Sequence, residues 1–155
     1  MTDADGRPSG TAVIVDDRLA LFAALGWLPR EPDIEIVTTY GWQQRLLGAF
    51  VAPRRTEGQL QRLAATLGAS AATALDAAGH PDPQLLTIAD PRSAAIDIAR
   101  MRVTGANPLA AETIAAATQR SAVVRFSPRN SSGHVVDHVL ASDIDFAIWD
   151  PVEPT

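Results

Sequence analysis

Residues 11–26 read TAVIVDDRLALFAALG, and this stretch sets the fold class. Its opening, Ala12-Val13-Ile14-Val15, is a short unbroken run rich in β-branched residues, the pattern of a strand buried on both faces of a parallel sheet. Asp16 and Asp17 end the run. Leu19, Phe22, Ala23 and Leu25 then follow at near-helical spacing before Gly26, so a strand feeds directly into a helix with two carboxylates at the junction.

The same alternation recurs downstream. Residues 33–39, with Ile34, Ile36 and Val37 ahead of Thr38 and Thr39, predict a second strand, and residues 42–50 a helix that stops near Pro53. Leu60, Leu63, Leu67, Ala71, Leu75 and Ala78 form an apolar stripe at helical spacing, either one helix or two parted near Gly68. Residues 85–88 fit a short strand or a buried connection. Residues 92–103 predict an amphipathic helix with Ile96, Ala99 and Val103 turned inward. Asn107-Pro108 opens the next helix, to about Gln119, because Asn accepts a backbone hydrogen bond as N-cap and Pro suits the first helical position. A β-like run at residues 122–126, a polar loop at residues 127–133, a helix with Val135, Val136, Val139 and Leu140 on one face, and a strand within residues 144–149 complete the series. Strands alternating with helices predict an α/β fold: a three-layer sandwich with a central, mostly parallel sheet and right-handed crossovers.

Composition narrows the function classes. With 155 residues, 46% of them hydrophobic and 20% charged, the chain fits one globular domain. Residues 1–10 lack an apolar pattern and predict a disordered tail, residues 11–150 the α/β domain, and residues 151–155 a C-terminal tail. The absence of cysteine excludes disulfides, thiolate metal sites and cysteine nucleophiles. Neither a basic-then-apolar leader nor a long apolar run is present, which predicts a cytoplasmic protein with no membrane partner. A net charge of −5 argues against binding nucleic acid over the whole surface and leaves room for a local basic face. There is no Walker or dinucleotide glycine motif and no nucleophile elbow.

Ligands of parallel α/β sheets bind at the carboxyl ends of strands, where Asp16 and Asp17 stand. Helix capping explains the pair equally well, since Asp at a helix start accepts backbone N–H groups and favours the positive end of the helix dipole. Glu112 reads the same two ways. His134 and His138, four apart on a helix, can present two imidazoles to zinc, but no flanking motif completes a ligand set and a solvated face is the plainer reading. Arg45, Arg54, Arg55 and Arg62 make the densest basic cluster, near Tyr40 and Trp42. Arginine and aromatic side chains together grip phosphate and stack on a base; the plain alternative is solvated arginines and a core tryptophan.

Val13-Ile14-Val15-Asp16-Asp17 ahead of an apolar helix resembles the opening of PIN domains, where a strand-end aspartate helps to bind a divalent metal. Residues 112–118, ETIAAAT, resemble the acidic residue and alanine-rich helix before the penultimate strand of PIN-type toxin ribonucleases. Val37-Thr38-Thr39 followed by Trp42-Gln43-Gln44 resembles that family's second strand and helix, and the likeness in element order spans residues 11–149. It implies Asp16 and Glu112 as catalytic acids, Asp16, Asp17 and Glu112 as ligands of weakly held Mg²⁺ or Mn²⁺, and Arg45, Arg54 and Arg55 as nucleic-acid contacts. Two acidic positions of the pattern are missing: Gln44 falls where the family has a glutamate, and Ser127-Pro128-Arg129-Asn130 falls where it has an aspartate. Two-metal hydrolysis needs enough negative charge to hold both ions. The resemblance therefore implies a PIN-like domain with a degenerate acidic site, binding RNA or a protein with little or no nuclease activity. Its alternative is a Mg- or Mn-dependent endoribonuclease of toxin–antitoxin type, helped by His134. A homodimer is left open. Removing one of several crowded like charges that no tightly bound metal offsets predicts that Asp16→Asn changes stability little or improves it.

Overall fold

The computed structural model describes residues 11–29, 33–51 and 58–151. Pro53, Arg54, Arg55, the expected N-terminal tail and all of the C-terminal tail but Pro151 lie outside the described residues. Five strands, β1 (Thr11–Val15), β2 (Ile34–Thr39), β3 (Thr87–Ala89), β4 (Val123–Phe126) and β5 (Phe146–Ile148), form one sheet in the order β3-β2-β1-β4-β5. Every neighbouring pair is parallel. The helices among the described residues are α1 (Asp17–Ala24), α2 (Tyr40–Val51), α3 (Gly58–Thr66), α4 (Ala71–Gly79), α5 (Ala95–Val103), α6 (Pro108–Arg120) and α7 (His134–Ala141). None is long and apolar enough to cross a membrane.

Strand periodicity fixes the layers. Val13 and Val15 of β1 face one core with Leu19 and Phe22 of α1, Leu46 of α2, Leu63 of α3 and Ala78 of α4. Ile14, between them, faces the other core with Ile114 of α6, Val124 and Phe126 of β4, and Val136 and Val139 of α7. Both Ile14 and Val15 have 0% exposure, as a central strand covered on both sides requires. Trp42 spans to the second core, meeting Phe126 edge-on at 5.2 Å and donating from Nε1 to Thr113 Oγ1 at 3.0 Å. Its ring is therefore packing, with its polar edge satisfied, and cannot stack on a base.

The stripe over residues 60–78 is two helices. Gly68 takes φ +81° after α3, and the Ser70 side chain caps α4 by accepting from Thr73 N. Residues 85–88 resolve into buried Leu86 leading into β3. One expectation is overturned: Ile96 and Val103 are 68% and 88% exposed, and Ala99 is exposed as well. The helix carries two apolar stripes, and it packs on α6 through the other one, Ile98 and Met101. A 3-10 turn, Pro91–Ala94, precedes it in place of a continuous helix, so residues 92–103 do not share one helical phase. Leu140 likewise turns outward, leaving Val136 and Val139 as the buried face of α7.

The chain leaves β1 for β2 and β3 on one side and returns to β4 and β5 on the other. This reversal opens a crevice beyond the carboxyl ends of β1 and β4, the place where ligands of such sheets bind.

Candidate functional site

Asp16 lies at that crevice, where β1 becomes α1. It is the N-cap of α1, with φ −79° and ψ −174°, and its Oδ1 accepts from Leu19 N at 2.9 Å. Capping uses only one oxygen. Oδ2 accepts three more hydrogen bonds, from Ser127 N at 2.9 Å, Ser127 Oγ at 2.6 Å and Asn130 Nδ2 at 2.8 Å. The register delivers these donors: Val15 pairs with Arg125, so Ser127 follows β4 beside the aspartates, and the turn Pro128–Asn130 swings Asn130 back over them. The side chain is fully buried, with one donor on Oδ1 and three crowded onto Oδ2.

With these four donors on its carboxylate, Asp16→Asn is expected to destabilise the fold. An amide at this position turns an NH₂ group toward one of the N–H or O–H donors, leaving buried donors opposed.

Asp17 is the first residue of α1. Its Oδ1 accepts from Arg18 N at 2.8 Å and from Asn130 Nδ2 at 3.0 Å, and its Oδ2 lies 3.4 Å from Arg45 Nε. The amide NH₂ of Asn130 thus bridges both aspartates, and the reverse amide orientation would set its oxygen against two carboxylates. Burial, reinforced by the charge of Asp16, pushes the Asp17 carboxyl up to about 6; Arg45, Arg18 N–H and Asn130 pull the other way. The Arg45 guanidinium also lies 5.6 Å over the Trp42 ring, a cation–π contact that holds it near Asp17.

Glu112 has a different task. It stands in the second turn of α6, whose start is capped by Asn107 Oδ1 accepting from Ala110 N at 2.8 Å. The Glu112 carboxylate accepts from Gly41 N–H, while Thr39 Oγ1 accepts from Trp42 N at 3.2 Å, so the two side chains together cap α2. Burial raises the Glu112 carboxyl and the Gly41 hydrogen bond opposes that rise. Gly41 is required for this approach, since a Cβ there would lie 2.6 Å from Glu112 Oε2.

Asp16 therefore reaches toward the β4 side of the crevice and Glu112 toward the start of α2, beyond β2. Among the described residues no three His, Asp or Glu side chains form a group able to hold a metal. Gln44 is exposed, and it is Gln43 that is buried, donating from Nε2 to Ala78 O at 3.0 Å. The His134 and His138 rings lie 4.4 Å apart by centroid, tilted by 51° to each other, and His134 Nε2 accepts from Asn107 N at 3.0 Å, so one ring nitrogen is already engaged.

The basic cluster is assembled differently from its order in sequence. Arg45 joins Asp17, while Arg62 of α3 faces Arg18 of α1 and Arg129 of the turn after β4 across a cavity of about 450 Å³. A smaller space beside it, about 70 Å³, is lined by Arg18 and Arg129 again with Asp17, Arg45 and Asn130. Sequence reasoning missed Arg18, Arg129, Ser127 and Asn130 as site residues. The signal for the last three was their place in the loop after the penultimate strand. Compared with protein-family models and with curated proteins, the chain matches none.

Proposed function

We propose that this chain is a PIN-like module that binds single-stranded RNA and has an acidic site closed by its own side chains, with little or no nuclease activity. The observation that carries the reading is the Asn130 amide, which donates to Asp16 at 2.8 Å and to Asp17 at 3.0 Å. A magnesium ion needs carboxylate lone pairs turned toward it. Here both Asp16 oxygens face N–H or O–H hydrogens, and Arg45 supplies positive charge to Asp17. Entry of a divalent ion requires Asn130 to turn away, Ser127 to reorient and Arg45 to withdraw, and each hydrogen bond to a charged group that is given up costs about 1.5–3 kcal/mol. The donor set as it stands does not fit Mg²⁺ or Mn²⁺, and no hydrolytic step is derived through one.

Binding of RNA is supported by the guanidinium groups of Arg18, Arg62 and Arg129, which line one cavity beside the closed site and are of a type that engages phosphate. Filter binding of a labelled single-stranded RNA tests the reading, with the same samples run on a denaturing gel after incubation in manganese. Retention that weakens as salt rises, with intact RNA on the gel, is the expected result. No retention at low salt removes the RNA-binding reading, and manganese-dependent cleavage replaces it with the ribonuclease.

A further inference from the structure

We propose that the open edge of the sheet at β5 is a docking site for an extended basic peptide, which joins the five strands as one more. The proposal does not depend on the RNA-binding reading.

The backbone of β5 supplies the first reason. In the strand order β5 pairs with β4 alone. Val124 N donates to Asp145 O at 2.8 Å and Trp149 N donates to Phe126 O at 2.9 Å, so residues 145, 147 and 149 turn their hydrogen-bonding groups toward β4. Alternation then turns the N–H and C=O of Phe146 and Ile148 to the open side, and no other group among the described residues bonds to them. A row of this kind is a template for a further strand.

Side chains define what fits beside it. Phe146 packs into the core beneath α7, and Ile148, two residues on, lies on that same face of the sheet but is 55% exposed. On α7 the buried Val136 and Val139 are flanked by Val135 on the α6 side and by Leu140 on the other, and Leu140 is 55% exposed as well. Leu140 and Ile148 thus present apolar surface on one face of the open edge, where aliphatic side chains at alternate positions of an added strand would cover them.

Charge selects the partner. Residues 134–150 contain four aspartates and neither arginine nor lysine. Asp145 is paired with Arg125 at 2.9 Å, and Asp150 lines the cavity that holds Arg18, Arg62 and Arg129, so neither is counted. Asp137 on α7 and Asp143 ahead of β5 remain, both exposed and without a cationic partner among the described residues. A second copy paired edge to edge would add like charge along this border with no cation from either copy to offset it, which is how sheet edges avoid self-association. Lysine or arginine between the aliphatic positions of a peptide offsets it.

The test is fluorescence anisotropy with a labelled peptide of about seven residues alternating lysine and valine. Its controls are the glutamate counterpart and a form methylated on every backbone nitrogen, which keeps the charge but cannot donate. The lysine peptide is expected to bind at least about tenfold tighter than either control, and to shift the backbone amide resonances of Phe146 and Ile148 in ¹⁵N-labelled protein. Asp137→Asn combined with Asp143→Asn should erase most of the preference for lysine over glutamate; Asn tolerates the φ of +57° at position 143. Ile148→Pro, which removes an outward N–H and leaves the bonds to β4 in place, should weaken binding, and Asp97→Asn on α5 should leave it intact. Equal binding of the methylated peptide, amide shifts confined to other elements, or a lysine preference that survives the double aspartate variant overturns the proposal. A dimer in sedimentation without peptide that Ile148→Pro dissolves assigns the edge to a second copy and overturns it too.

Discussion

Asn130→Asp puts the closing of the acidic site under direct test. The amide makes two hydrogen bonds to carboxylates, at 2.8 and 3.0 Å, and such bonds to charged groups contribute about 1.5–3 kcal/mol each. The substitution removes both donors and brings a third carboxylate to the same place, where two unit charges about 3 Å apart repel by about 5 kcal/mol at an effective dielectric of about 20. Uptake of a proton caps that repulsion, since Asp17 already titrates at about 6. A net loss of about 3–5 kcal/mol without metal follows, within the roughly 5–15 kcal/mol stability of a domain, so the variant stays folded. At about 2–4 °C per kcal/mol, Tm falls by roughly 6–20 °C. Millimolar manganese should recover much of the loss, because the third carboxylate turns lone pairs, instead of hydrogens, toward the shared point. Asn130→Ala should lose stability with less recovery, and the wild type should respond little. Thermal melts in chelator, magnesium and manganese read all of this. An Asn130→Asp variant that melts with the wild type in chelator, or a wild type that gains as much from manganese, refutes the bridging role.

Asp17 carries a pH signature. Its carboxyl is raised from 3.8 to about 6, so its ionised form destabilises the folded state; stability is lost as pH rises through about 6 and regained as pH falls toward 4. Asp17→Asn should therefore stabilise the protein at pH 8 by on the order of 2–3 kcal/mol and flatten this dependence in urea unfolding; an unchanged pH profile contradicts it. Asp16→Asn should cost about 2–4 kcal/mol in the same assay, through opposed donors in a fully buried position, and a neutral result means the four hydrogen bonds are not formed as described. Gly41→Ala should cost about 1–2 kcal/mol by pushing Glu112 off the start of α2. Gly48→Ala, with nothing within 4 Å of the new Cβ, should instead stabilise the same helix by about 0.5–1 kcal/mol. Equal effects of the two glycine substitutions would show that Glu112 does not cap α2.

The parallel sheet was legible because its strands carry their own signal. Val13, Ile14 and Val15 are apolar on both faces, and only a doubly covered strand tolerates that. Asn107-Pro108 marked the start of α6 by local hydrogen-bonding chemistry that needs no tertiary context. The orientation of α5 was not legible: Ile96, Ala99 and Val103 form as regular a stripe as Ile98 and Met101, and only the presence of α6 selects between them. Asp16 and Asp17 stood out as a pair at a strand end, but Ser127 and Asn130, which close over them, lie more than a hundred residues away and depend on the register between β1 and β4. Capping and site readings were posed as alternatives for Asp16; its Oδ1 caps α1, while Oδ2 accepts from Ser127 and Asn130. Glu112 was read against its own helix dipole, while the helix it caps is α2, a long-range contact that periodicity cannot show.

Titrating manganese into the wild-type protein, with the free ion followed by electron paramagnetic resonance, reports whether the acidic site is closed. The free-ion signal should rise in proportion to added manganese, because the Asp16 and Asp17 carboxylates are held by Asn130, Ser127 and Arg45. A signal held down until one or two ions per chain have been added, and restored to proportionality by Asp17→Asn, would contradict it.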